Sequence, residues 1–258
     1  MSLNFVSEMR NAFSRELPGI DAFVYDTVGS TSDEARNFAR EHKGRDAFFI
    51  AREQTAGRGR RGRSFVSDDG GLYISYLLHP TLKTRDAVML TVFSAVALSE
   101  VIEEMTEAVP KIKWVNDIFL GGKKLAGILA EGEFSEDGEC FEYAVIGIGV
   151  NLHGTALAPE IAAVATTIEA ELGIKADISD FAVRLAKKLK DFEASEVSSY
   201  IGKYRERSAV IGKRVRMTSA GEDFFCEVLR IENDGAISVS LDSGEEKSFY
   251  SAEVSVIL

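Results

Sequence analysis

The sequence has little cysteine, proline or histidine, and less positive charge than negative. Its two cysteines, Cys140 and Cys226, lie far apart and form no CxxC pair. That excludes a disulfide framework and a cysteine zinc site, and both read as small core residues. The three histidines, His42, His79 and His153, lie outside every motif described below. Four prolines and no low-complexity run give no sign of a long disordered linker. No stretch reaches the roughly 18 consecutive apolar residues of a membrane span. The start, MSLNFVSEMR, lacks the apolar core of a signal peptide, so a cytoplasmic protein with no membrane partner is expected. Lysine and arginine number 30 against 41 acidic residues, a net charge of −11. A far field of that sign repels nucleic acid and anionic lipid.

What is present is an ordinary globular composition, 45% hydrophobic and 28% charged over 258 residues, enough for a main domain and a small second one. Apolar runs predict strands at 22–25, 47–51, 72–78 and 142–152. Ser30, Thr31 and Ser32 supply cap chemistry for a helix through Glu34, Ala35, Phe38 and Ala39. Spacings of three and four predict helices over 86–107 and about 180–206. Pro159 and Gly173 bracket another, over 159–172. Lys111 to Phe134 reads as two strands joined at Gly121-Gly122. Beyond Gly212, short strands at 213–217, 224–231 and 237–241 alternate with turn chemistry and suggest a small β barrel. The domain boundary is expected at 208–212.

Three segments carry chemistry. GRGRRGR, 57–63, lies within a stretch from Ala51 to Arg63 that holds five arginines against one acid, Glu53. Glycines let a backbone approach a ligand, and the guanidinium fork matches phosphate or carboxylate oxygens. A nucleic-acid patch or a solvated loop would have the same composition. In KIKWVNDIFLGGKKLAGILAE, 111–131, Asn116 and Asp117 interrupt an apolar strand and need partners, although a turn capped by Asn-Asp would also supply them. Lys124 follows the glycine turn. GIGVN, 147–151, puts glycines in a strand, where they mark a close approach by a ligand or by packed backbone. Asn151 could present both donor and acceptor to a base edge.

With GSTSDEA at 29–35, QTAGRGRRGR at 54–63, KWVNDIFLGGKKLAGIL at 113–129 and GIGVN at 147–151, the chain resembles the biotin protein ligases over nearly its whole length. The resemblance implies an α+β fold, a mixed β-sheet backed by helices and related to class II aminoacyl-tRNA synthetases. It assigns 1–209 to the catalytic domain and 210–258 to a small SH3-like C-terminal β-barrel. Carried over by position, it puts Ser30, Thr31, Ser32, Gln54, Gly57, Arg58, Gly59, Arg60, Lys124, Gly127 and Gly147 around biotin. It puts Arg58, Arg60, Arg61, Phe65, Asn116, Asp117, Lys124 and Asn151 around ATP or the adenylate. Lys124, Arg60 and Asp117 become the catalytic groups, with Asp117 toward Mg²⁺. The family usually has proline at the position of Val115 and most often tryptophan at that of Phe65. Val115 is expected to loosen the turn before Asn116, and Phe65 to stack on adenine.

The implied reaction joins biotin and ATP into biotinyl-5′-adenylate and then acylates a lysine of a biotin carboxyl carrier protein, such as an acetyl-CoA carboxylase subunit. Some twenty residues precede the first core strand, too few for the winged helix that makes some family members repressors, so no DNA partner is expected. Oligomeric state is left open, a homodimer among the options. Three alternatives remain: a lipoate-type ligase on the same fold, disfavoured because RRxSGGG is absent, a nucleic-acid-binding protein using GRGRRGR, and a catalytically silent ligand-binding paralogue, which Val115 brings into view.

Overall fold

The computed structural model describes residues 2–154, 159–192 and 194–256. The chain opens with helix α1 (Ser2–Glu16), then β1 (Asp21–Val28), α2 (Thr31–Glu41), β2 (Ala47–Gln54) and β3 (Gly71–Leu78). Helix α3 (Val88–Thr106) follows, then β4 (Lys111–Lys113), β5 (Asp117–Leu120), β6 (Lys123–Phe134) and β7 (Phe141–Asn151). These strands form one seven-stranded mixed sheet in the order β1-β2-β3-β7-β6-β5-β4. Only β1 and β2 run parallel; every other neighbouring pair is antiparallel.

Strand alternation divides the sheet between two cores. Phe48 and Ile50 of β2, Ile74 and Tyr76 of β3, and Ile146, Ile148 and Val150 of β7 share one cluster with α1 and α3. Ala47 and Phe49, Leu77, Tyr143 and Val145 face the other way, against Ala35 and Ala39 of α2. Buried runs such as AFFIA and GLYISYLL are therefore strands covered on both faces. Ser30 caps α2, its side chain accepting from the Asp33 N–H, as the Ser-Thr-Ser run predicts.

Several expected elements are divided. The turn 114–116 splits the first strand of the 111–134 pair, giving three strands where two are expected. The helix expected over 159–172 is two short ones, α4 (Pro159–Ala162) and α5 (Ile168–Leu172). Between them the chain pairs with β6 instead: the Lys124 N–H donates to Val164 O at 2.9 Å, and the Thr166 N–H to Lys124 O at 2.9 Å. Thr167 then caps α5 by accepting from the Ala170 N–H at 2.9 Å. The helix over 180–206 is α6 (Ile178–Lys190) and α7 (Val197–Glu206), with Asp177 capping the first. Cys226 is buried as expected, but Cys140 is exposed. It sits at the β6–β7 connection, beside the turn Ser135–Gly138, beyond the reach of either core.

The C-terminal unit is an antiparallel sheet of β8 (Arg214–Ser219), β9 (Glu222–Ile231), β10 (Ile237–Leu241), β11 (Glu246–Phe249) and β12 (Glu253–Val256), ordered β11-β10-β9-β8-β12. It is fastened to the main sheet by Trp114, whose indole Nε1 donates to Gly235 O at 2.9 Å. Arg205 adds a second tie, from Nε to Ile231 O at 2.7 Å. No helix among the described residues is long and apolar enough to cross a membrane.

Helix α1 carries Met9 and Phe13, both buried, and the Phe13 ring meets Phe48 edge-on at 5.7 Å between centroids. Truncating a fully buried phenylalanine removes its burial energy and leaves a cavity. Phe13→Ala should cost about 3–5 kcal/mol in urea unfolding. A loss under about 1 kcal/mol would mean that α1 is only loosely docked.

Candidate active site

On the face of the sheet that carries α2, glycine and serine leave room next to the helix N-terminus. Gly147 and Gly149, two apart on β7, point to this face, while Ile146, Ile148 and Val150 point into the core. Across the ladder Ser75 pairs with Gly147, Tyr73 with Gly149, Gly149 with Gly127, and Gly127 with Asp117. Small residues on three adjoining strands thus make a floor. A cleft lies over it, lined by Ser30, Thr31, Ser32, Gln54, Arg58, Gly59, Arg60, Phe65, Asn116, Lys124, Gly127 and Gly147, with Ile128, Leu129, Ile148 and Gly149.

One end of the cleft is a chain of hydroxyls. Thr31 Oγ1 donates to Gln54 Oε1 at 3.0 Å, so its single proton is spent. Ser75 must then donate to Thr31 at 2.8 Å, and Ser32 to Ser75 at 3.0 Å. Gln54 continues the chain by donating to Ser67 Oγ at 3.0 Å, and Ser67 donates to Phe65 O at 3.0 Å. The strand, the helix cap and the arginine loop share one polar network. Ser75 is fully buried and is absent from the sequence-based set. Its signal was a lone polar residue in the apolar run Leu72–Leu78.

The other end is charged. Lys124 Nζ lies 2.7 Å from Asp117 Oδ1, an oxygen with no other donor. Arg60 reaches down from the loop, Nη1 donating to Asn116 Oδ1 at 3.0 Å and Nη2 to Ser251 Oγ at 3.3 Å. Asn116 is otherwise satisfied, its amide donating to Ile128 O at 3.0 Å. The neighbouring arginines have carboxylates: Arg58 meets Glu131 at 2.8 Å, while Arg61 and Arg63 meet Glu253 at 3.6 and 2.7 Å. Among the described residues Arg60 has no such ion pair. Burial pulls its guanidinium below its usual value, and Arg61 adds to the effect, yet arginine stays charged.

A second cleft adjoins the first through Gly59, Arg60, Phe65, Asn116 and Lys124, and adds Arg61, Arg63, Lys113 and Asp117. Its far wall is the C-terminal sheet, through Ala252, Glu253, Val254 and Ser255. Neither Lys113 nor this wall was singled out from the sequence. Burial pulls the Lys113 ammonium below the ordinary lysine value.

Two expected site residues line neither cleft, and a third lies in an unexpected place. Gly57 lies beneath the loop, where a Cβ would come within 2.5 Å of Phe65 O and Ser67 Oγ. Asn151 lines neither cleft and donates to Thr166 O at 3.1 Å. Phe65 does line both clefts, but its ring lies on the glycine floor: a Cβ on Gly149 would meet it at 2.5 Å. The turn before Asn116 is not loose, because Val115 is buried and its carbonyl accepts from the Tyr204 hydroxyl at 3.0 Å.

The Biotin/lipoate A/B protein ligase family matches residues 27–151, a span that includes every residue lining the first cleft. The Biotin protein ligase C terminal domain matches residues 210–256. A biotin–[acetyl-CoA-carboxylase] ligase of Paracoccus denitrificans is 33% identical over 83% of this chain and 88% of its own length. The chain belongs to the biotin protein ligase family. The bifunctional ligase/repressor BirA of Bacillus subtilis is 29% identical over 96% of this chain and 78% of its own length. Among solved structures, the biotin protein ligase of Aquifex aeolicus in complex with biotin and ATP superposes with a TM-score of 0.75. Its identity is 26%, over 92% of this chain and 98% of that one.

For a biotin protein ligase fold with an unneutralised Arg60 between two clefts, inorganic pyrophosphate should raise the melting temperature by a few degrees. Arg60→Ala should abolish that shift. An equal shift in the variant would place the anion elsewhere.

Proposed function

We propose that this chain is an ATP-dependent biotin protein ligase whose two clefts divide the substrates between them. The observation that carries the reading is the meeting of Lys124, Arg60 and Asn116 at the junction of a hydroxyl-lined cleft and a cationic one. Biotin fits the first, with its ring system among Ser30, Thr31, Ser32 and Gln54 over the Gly147 floor. Its carboxylate then points to Lys124. The ATP phosphates fit the second, along Arg60, Arg61 and Arg63, with the nucleotide toward Asn116 and Phe65. Asn151 acts indirectly in this arrangement, by tying β7 to the segment before α5.

The biotin carboxylate is ionised at neutral pH, so the first step needs no base. A carboxylate oxygen bonds to the α-phosphorus as the α–β bridging bond breaks and pyrophosphate leaves. The obstacle is repulsion: two like charges 4 Å apart cost ~4 kcal/mol at an effective dielectric of 20. Arg60 and Lys124 offset it, since both cations face the point where the two clefts meet. In the second step the uncharged amine of a carrier lysine attacks the acyl carbon, AMP leaves, and the amine proton goes to a nearby acceptor. Asp117, freed from Lys124, fits that role. The arginine loop keeps water from the mixed anhydride.

Among the described residues no group of three or more histidine, cysteine, aspartate or glutamate side chains is gathered for a metal. Asp117, with one oxygen held only by Lys124, fits Mg²⁺, which binds through one or two carboxylates and substrate phosphates. The ion would neutralise phosphate charge there. We place the activity in the cytoplasm, on a biotin carboxyl carrier protein, without a DNA partner. The net charge of −11 repels a nucleic acid.

Lys124→Ala and Arg60→Ala should each slow biotinyl-adenylate formation by well over about tenfold, with melting changed little. Wild-type rates in both folded variants would remove the assignment.

A further inference from the structure

The turn that carries Asn116 and Asp117 is gripped from behind, by groups outside both clefts. Tyr204 of α7 is fully buried, and its hydroxyl donates to the Val115 carbonyl at 3.0 Å. One residue later Asn116 accepts from Arg60, and two residues later Asp117 meets Lys124. On the other side of the turn Trp114 donates to Gly235 O at 2.9 Å. Arg205, next to Tyr204, reaches Ile231 O at 2.7 Å and Asn233 Oδ1 at 2.8 Å. The end of α7 and the β9–β10 turn of the C-terminal sheet therefore clamp residues 114–117, of which Trp114, Asn116 and Asp117 line the charged cleft.

Burial pushes the Tyr204 phenol far above its ordinary value, and the charges of Arg60 and Asp117 both act on it. It keeps its proton across the working pH range and remains a donor. A carbonyl held by one buried donor has one orientation, and the peptide that follows inherits it.

We propose that Tyr204 is a positioning residue for the ATP half of the reaction: its hydrogen bond to the Val115 carbonyl aims Asn116 and Asp117 into the charged cleft. The proposal rests on the reading that this cleft takes the nucleotide. The hydroxyl chain through Thr31, Gln54 and Ser75 is held separately, on α2, β2 and β3. Loss of the Tyr204 hydroxyl should therefore fall on ATP and spare biotin.

The test compares Tyr204→Phe with Tyr143→Phe in the full chain. Tyr143 is also buried and loses a hydrogen bond to Glu133 of 2.8 Å, but on β7 outside both clefts. Calorimetry gives the biotin Kd, and biotin-dependent exchange of pyrophosphate into ATP gives kcat and KM. For Tyr204→Phe, kcat/KM for ATP should fall by about tenfold, the ratio of one lost hydrogen bond. Its biotin Kd should stay within about twofold, and Tyr143→Phe should leave both quantities within the same margin. Unchanged kcat/KM in Tyr204→Phe, or equal losses for biotin and ATP, would overturn the assignment. No exchange in the unmodified protein would overturn the reading of the cleft, and the assignment with it.

Discussion

The hydrogen bond from Arg60 to Asn116 joins the arginine loop to the sheet, and the cleft exists because the two meet there. The loop can come so close only because the facing strands carry glycine. A Cβ at Gly127 would lie 3.1 Å from the Phe65 ring, and one at Gly147 would lie 2.6 Å from Ser32 Oγ. Backbone takes the place of side chains over a patch of floor, and the space released is the site. The opposite face has no such freedom, since its strand residues are packed under α1 and α3.

Charge follows the same economy of placement. The protein is acidic overall, and three of its loop arginines have carboxylate partners that they share: Arg58 meets Glu131, which also holds Arg36, and Arg61 and Arg63 both meet Glu253. With Lys124 held by Asp117, the excess positive charge at the clefts comes from Arg60 and from two arginines set against one Glu253, within a far field that repels anions. A small polyanion that enters the cleft can replace the carboxylates as partner to the arginines. A nucleic acid would meet the repulsive far field along its whole length. The C-terminal sheet takes part in this balance through Glu253 and Ser251, so it belongs to the site and is more than an appended module.

Much of this was legible in the sequence where local spacing decides structure. Glycines two apart in GIGVN share a strand face by necessity, and Ser30 had the right chemistry to cap α2. The Gly121-Gly122 turn brings Lys124 back beside Asp117. Features set by distant packing left weaker marks. Helix α1 has its apolar residues, but nothing local says that they meet Phe48. Glu253 reaches the second cleft, and Tyr204 the turn behind it, from far along the chain, and only the assembled fold reveals their distances. The helix expected over 159–172 is broken in two because Val164 and Thr166 pair with Lys124 at the start of β6, a tertiary contact that overrides local preference. That the Phe65 ring lies against Gly127 and Gly149 was likewise set by packing between loop and sheet.

The central claim is that the cleft activates biotin with ATP. Exchange of labelled pyrophosphate into ATP, run with biotin, with lipoate and with neither, tests it most directly. The account predicts exchange with biotin alone, because the hydroxyl chain from Ser32 to Gln54 matches a polar ring system and has no use for an apolar dithiolane. Exchange with lipoate in place of biotin, or none with biotin from folded protein, would contradict it.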